Sequence, residues 1–178
     1  MEIFKIKRIT DGGDYYRKNA TAYALNKGQV AEFGYGVNPF DAKAVATAFN
    51  AAARYYGNEN KNPVFHFMLS FESETCDSVE KAVELSRQIL DPLGEDHLMI
   101  VGIHDKEHEN SSYHAHAVMC STNLENGKMF GGTNKDLNQI AQRMADVTNN
   151  TCELCIDKKG GMKEEYKRIF SPSDSEDE

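Results

Sequence analysis

No apolar run in the 178-residue chain approaches the roughly 20 residues that cross a bilayer, so neither a transmembrane helix nor a membrane partner is expected. The opening stretch MEIFKIKRIT lacks the unbroken apolar core of a secretory signal, because charges interrupt it. Cysteine is sparse. Cys76, Cys120, Cys152 and Cys155 are the four, and without a secretion signal they read as thiols of a reducing compartment rather than as a disulfide framework. The expected localisation is therefore cytoplasmic. A surplus of positive charge is also missing. The formal net charge is −8, which excludes the globally basic footprint of many nucleic-acid binders. The charge is unevenly spread, however. Residues 1–60 hold eight Lys/Arg against six Asp/Glu, whereas residues 61–170 hold twelve against eighteen. Any contact with DNA would run through a local basic patch in the first 60 residues.

Apolar residues make up 40% of the chain, enough for one core without staples. There is no internal repeat. The expected organisation is one domain over residues 1–170 and a disordered acidic tail, SPSDSEDE, over 171–178.

Periodicity and punctuation supply the elements. EIFKIKRI alternates and reads as a strand. YYRKNATAYALN (15–26) reads as a short helix. DAKAVATAFNAAARYYG (41–57) reads as a helix, N-capped by Asp41, rich in alanine and ended by Gly57. VFHFMLSF (64–71) is β-branched and aromatic, hence a strand. DSVEKAVELSRQILDPLG (77–94) has a helical apolar face. HLMIVGIH (97–104) and HAHAVMCST (114–122) read as strands, ENGK (125–128) as a turn, NKDLNQIAQRMADVTNN (134–150) as an amphipathic helix, and CELCI as a last strand. Two helical crossovers and a hairpin predict an α+β fold with a mainly antiparallel sheet and helices packed on it.

Four of the six histidines fall within residues 101–122, VGIHDKEHENSSYHAHAVMCST. In a strand, residues two apart face one side, so His114 and His116 point together. His104 ends the preceding strand. If the two strands pair as a hairpin, three imidazoles converge, a ready site for a divalent metal with open positions. The opposing view is that each is an ordinary strand histidine with partners for its ring nitrogens. His66, inside FHFMLSF, is either a core residue or lines the same site. His97 and His108 read as ordinary. Asp105 could orient a ligand from outside the metal shell. Cys152 and Cys155 form a C-x-x-C, but in a strand they face opposite sides and read as structural.

Three histidines alone fit a hydrolytic zinc or a non-redox metal that polarises a phosphate. The wider pattern resembles the relaxase, or mobilisation nuclease, domain of the HUH endonuclease superfamily. YYRKNATAYALNKGQ resembles the family's tyrosine segment. FHFMLSF resembles its second strand signature, and GIHDKEHENSSYHAHAVMCSTNLENGKMF its metal segment. One departure is Cys120, four residues past His116, where the family usually has Asn. A second is a loop from His104 to His114 about two residues longer than usual. The resemblance implies an RRM-like, split βαβ core. It implies single-strand DNA nicking and strand transfer at a transfer origin, through a covalent 5′-phosphotyrosine, with accessory mobilisation proteins as further partners. It places the nucleophile at Tyr23, with Tyr15 and Tyr16 in reserve, and the metal on His104, His114 and His116. Lys27 becomes a candidate phosphate contact. Mg²⁺ or Mn²⁺ is the first expectation for the metal, Zn²⁺ or Ni²⁺ the second. Two rivals stand beside this reading: a three-His zinc hydrolase acting on something other than DNA, and a relaxase-like module that binds DNA or a partner without cutting.

Overall fold

The structure is a computed structural model that describes residues 1–7, 28–61, 64–105, 112–157 and 166–174. Its strands are β1 (Glu2–Lys7), β2 (Gln29–Tyr35), β3 (Val64–Ser70), β4 (Met99–His104), β5 (His114–Cys120), β6 (Cys152–Asp157) and β7 (Tyr166–Phe170). The helices are α1 (Ala42–Tyr55), α2 (Val79–Gly94) and α3 (Asn134–Thr148). The strands form one sheet in the order β2-β4-β5-β3-β1-β6-β7. Every neighbouring pair is antiparallel except β1 and β6, which run parallel.

β4 and β5 form the expected hairpin. β3 and β4 both lie antiparallel to β5, so β3-α2-β4 is a crossover with β5 slotted into its middle. This is the split βαβ arrangement. A second crossover, β5-α3-β6, carries the chain to the far side of β1.

Local chemistry explains the helix ends. The Asp41 carboxylate accepts from the backbone N–H groups of Lys43 and Ala44, which caps α1. Ser78 does the same for α2 through Lys81. Thr133 and Asp136 form a reciprocal capping box on α3, and Asn149 closes that helix in the left-handed region at φ 49°.

Two strands go beyond the sequence reading. β2 was not expected, because QVAEFGY carries Gly, Ala and Glu where a buried strand would carry branched residues. It is an edge strand, so half-burial suffices. β7, YKRIF, sits at the other edge with only Phe170 buried. The expected helix over 15–26 lies outside the described residues. Of the acidic tail, Ser171 and Ser173 are tied to α3. Gln142 donates to the Ser171 carbonyl, and the Ser173 backbone N–H donates to Asp146.

The sheet has two unlike faces. On one, Phe4, Ile6, Phe67, Leu69, Val101, Ile103, Ala115 and Ala117 pack in one cluster with Leu85 and Ile89 of α2 and Leu137, Ile140 and Met144 of α3. The alternate residues face the other way. There, α1 sets Val45 and Phe49 against Val64, Leu98, Ile100, Val118 and Cys120. This smaller core covers one end of its face and stops short of His116.

Candidate metal centre

β5 carries His114, His116, Val118 and Cys120 on the α1 face, and Ala115, Ala117 and Met119 on the α2/α3 face. The hairpin register sets His104 directly opposite His114 and Gly102 opposite His116. On the other flank, β3 places Met68 opposite His116 and His66 opposite Val118. His66 is therefore diagonal to His116, within reach of a long side chain.

The result is a tight group of rings. Centroid separations are 5.3 Å for His104–His114, 4.7 Å for His104–His116 and 5.1 Å for His114–His116. One ring nitrogen from each of the three lies within 4.8 Å of those of the other two. His66 Nε2 approaches His116 Nδ1 at 3.1 Å. His114 donates Nδ1–H to the Ser112 carbonyl at 3.3 Å, which leaves its lone pair on Nε2.

The electrostatics suit a cation. Burial, then the neighbouring charges of His66, His104 and His114, lower the His116 pKa to about 3. His116 is therefore a neutral imidazole at ordinary pH, the protonation state that a metal requires of a histidine ligand. Three imidazoles with no carboxylate among them fit a divalent first-row ion, with at least one coordination position left for oxygen ligands.

The remaining sequence candidates divide. His66 joins the site through His116. Asp105 is exposed, and the group of convergent ligand atoms does not include it. Burial and then the Asp105 carboxylate raise the Tyr113 phenol, whose ring packs on the α2/α3 core. His97 is buried at the end of α2. Its Nδ1 meets the Asp96 carboxylate at 2.8 Å and the Leu93 carbonyl at 3.2 Å, as expected of a structural histidine. Cys120 is fully buried under α1 with its thiol toward the Phe49 carbonyl, so the departure from the family's Asn falls inside the small core. Cys152 and Cys155 lie on opposite faces of β6: Cys152 is in the main core, and Cys155 leans on Glu153. Tyr15, Tyr16, Tyr23, Lys27 and His108 lie outside the described residues. Sequence reasoning missed the Ser112 carbonyl behind His114. Such a partner is a backbone atom and leaves no mark in residue type.

None of the curated proteins matches the chain. A solved structure from work described as "Molecular Basis of Vancomycin Resistance Transfer in Staphylococcus aureus" superposes with a TM-score of 0.60 at 15% identity. The match covers 84% of this chain and 91% of that one, and it speaks for a shared fold. The family model described as "Relaxase: MobA/VirD2-like, nuclease domain" matches residues 20–151. That span takes in β2 through α3 with all three converging histidines, and the chain belongs to the MobA/VirD2-like relaxase nuclease-domain family.

Proposed function

We propose that the chain nicks one strand of DNA at a transfer origin and holds the 5′ end covalently on Tyr23. The observation that carries this reading is the convergence of His104, His114 and His116 on the α1 face of the sheet, beyond the α1 cluster, in a relaxase-family chain. The Tyr23 phenolate oxygen attacks the scissile phosphorus. A phosphotyrosine ester forms, the P–O3′ bond breaks, and the departing 3′ oxygen takes up a proton. The ester keeps the energy of the phosphodiester, so a later 3′-hydroxyl can reverse the step and rejoin the strand. His104, His114 and His116 would hold a divalent ion, Mg²⁺ or Mn²⁺ in the first instance, which when bound would supply Lewis-acid stabilisation of charge on the non-bridging oxygens.

Topology supports the choice of Tyr23. β1 ends at Lys7, whose register partner is His66, and β2 begins at Gln29, whose partner is His104. The segment between them, which contains Tyr23 and Lys27, is thus anchored on both sides of the histidines. Tyr23 precedes Gln29 by six positions, a reach of at most about 22 Å. Charge supports the same face. Lys5, Met68 and His116 form one cross-strand row, so a cation of the basic first 60 residues shares a surface with the site.

The test is a covalent one. Wild-type protein is incubated with single-stranded origin oligonucleotides and Mn²⁺, then run on a denaturing gel. Wild type should give a denaturant-stable adduct, and Tyr23→Phe, which removes one oxygen, should give none while still binding Mn²⁺. An adduct that survives in Tyr23→Phe but is lost in Tyr15→Phe or Tyr16→Phe moves the nucleophile. No adduct with any strand removes the nuclease reading and leaves the hydrolase and binding-module ones.

A further inference from the structure

His66 has a more specific place than the wall of the site. A neutral imidazole has one lone pair and one N–H. His114 turns its Nδ1–H outward to the Ser112 carbonyl, leaving Nε2 for the cluster. At His116 the corresponding nitrogen meets another ring: its Nδ1 lies 3.1 Å from His66 Nε2. If His116 is to give an ion its Nε2 lone pair, its proton must sit on Nδ1, and His66 Nε2 must accept it. His66 itself is not among the convergent ligand atoms, which come from His104, His114 and His116.

We propose that His66 is the positioning residue for His116: its Nε2 accepts the His116 Nδ1–H and so fixes both the ring orientation and the metal-binding tautomer. The inference rests on the metal reading above and deepens it. The sheet explains why the acceptor is a side chain. His114 borders the loop, where a carbonyl is within reach. His116 sits mid-strand, where the backbone carbonyls of β3, β4 and β5 serve the ladder in the plane of the sheet, so an acceptor above that plane must be a side chain of the neighbouring strand. His66, diagonal to His116 on β3, supplies it.

Calorimetric titration of Mn²⁺ into wild type, His66→Phe and His66→Gln tests this. His66→Phe keeps a ring but no acceptor and should bind Mn²⁺ about 10- to 100-fold more weakly, the usual cost of losing such a partner. His66→Gln keeps an oxygen acceptor at similar reach and should recover most of that loss. Equal affinity of His66→Phe and wild type overturns the proposal. So does a folded His66→Gln that binds as weakly as His66→Phe, which would make the role one of packing. Nitrogen NMR of the wild-type protein loaded with diamagnetic Zn²⁺ gives a readout independent of variant folding. His116 should be metal-bound at Nε2 and protonated at Nδ1, and coordination through Nδ1 overturns the proposal. Failure of wild type to bind Mn²⁺ or Zn²⁺ at all would instead overturn the metal reading beneath it.

Discussion

The two faces of the sheet are built on opposite principles. The face toward α2 and α3 is filled with carbon: Phe4, Phe67, Leu69, Val101 and Ile103 are fully buried against two helices. Among the described residues, the apolar packing on the face toward α1 is confined to one end, and beyond Val118 that face carries His66, His104, His114 and His116. The same strands make both faces by alternation, so β5 holds Ala115 and Ala117 for packing and His114 and His116 for chemistry. The difference shows where this domain keeps its stability and where it keeps groups that packing alone would not choose. A buried imidazole with a depressed pKa costs stability in the metal-free protein as the pH falls below about 6.5.

The largest expected effect comes from breaking the carbon face. Phe67→Ala should cost about 3–5 kcal/mol, the range for deleting a buried aromatic, and a chemical-denaturation midpoint should fall accordingly. His114→Ala, on the histidine end of the α1 face and only half-buried, should change the metal-free stability by about 1 kcal/mol or less. Comparable losses in the two variants would mean that the faces are not divided in this way.

Acid should sharpen the contrast next. The unfolded chain protonates His116 near its ordinary value of 6.5, and the folded protein only at about 3. Between those values the unfolded state binds more protons, so stability is full above about pH 6.5 and declines as the pH falls toward 3. The slope from one such group is at most about 1.4 kcal/mol per pH unit. Denaturation of metal-free wild type and His116→Gln from pH 7 to pH 4 should show wild type losing ground to the variant. A constant difference across that range would mean that burial does not hold this imidazole neutral.

Smaller effects mark the boundary within the α1 face. Asp41→Ala removes the α1 cap and should cost about 1 kcal/mol. It should leave Mn²⁺ affinity unchanged, because the α1 cluster ends at Val118 and Cys120. Deleting residues 171–178 removes four acids and should leave DNA affinity unchanged or modestly tighter at low salt. A clear loss of binding on that deletion would give the tail a role in the interface.

Much of this was legible in the sequence because the relevant signals are short-range. Alternation placed His114 and His116 on one side, Asp41 and Gly57 bracketed α1, and the polar loop between two apolar runs implied the hairpin that seats His104. β2 and β7 were not legible. Edge strands need burial on only part of one face, and QVAEFGY and YKRIF carry the charges and small residues that blur a period of two. The parallel pairing of β1 with β6 spans nearly the whole chain, and no local pattern encodes it. His66 was ambiguous for a related reason. Its place beside His116 depends on the register between β3 and β5, and strand pairing across 50 residues is a property of the fold.

The central claim is that His104, His114 and His116 hold one divalent ion on the histidine end of the α1 face. Calorimetric titration of Mn²⁺ into wild type and into the His114→Ala, His116→Ala double variant tests it most directly. The account predicts one site per chain in wild type and none in a double variant that remains folded. Equal affinity and stoichiometry in the two proteins would contradict it.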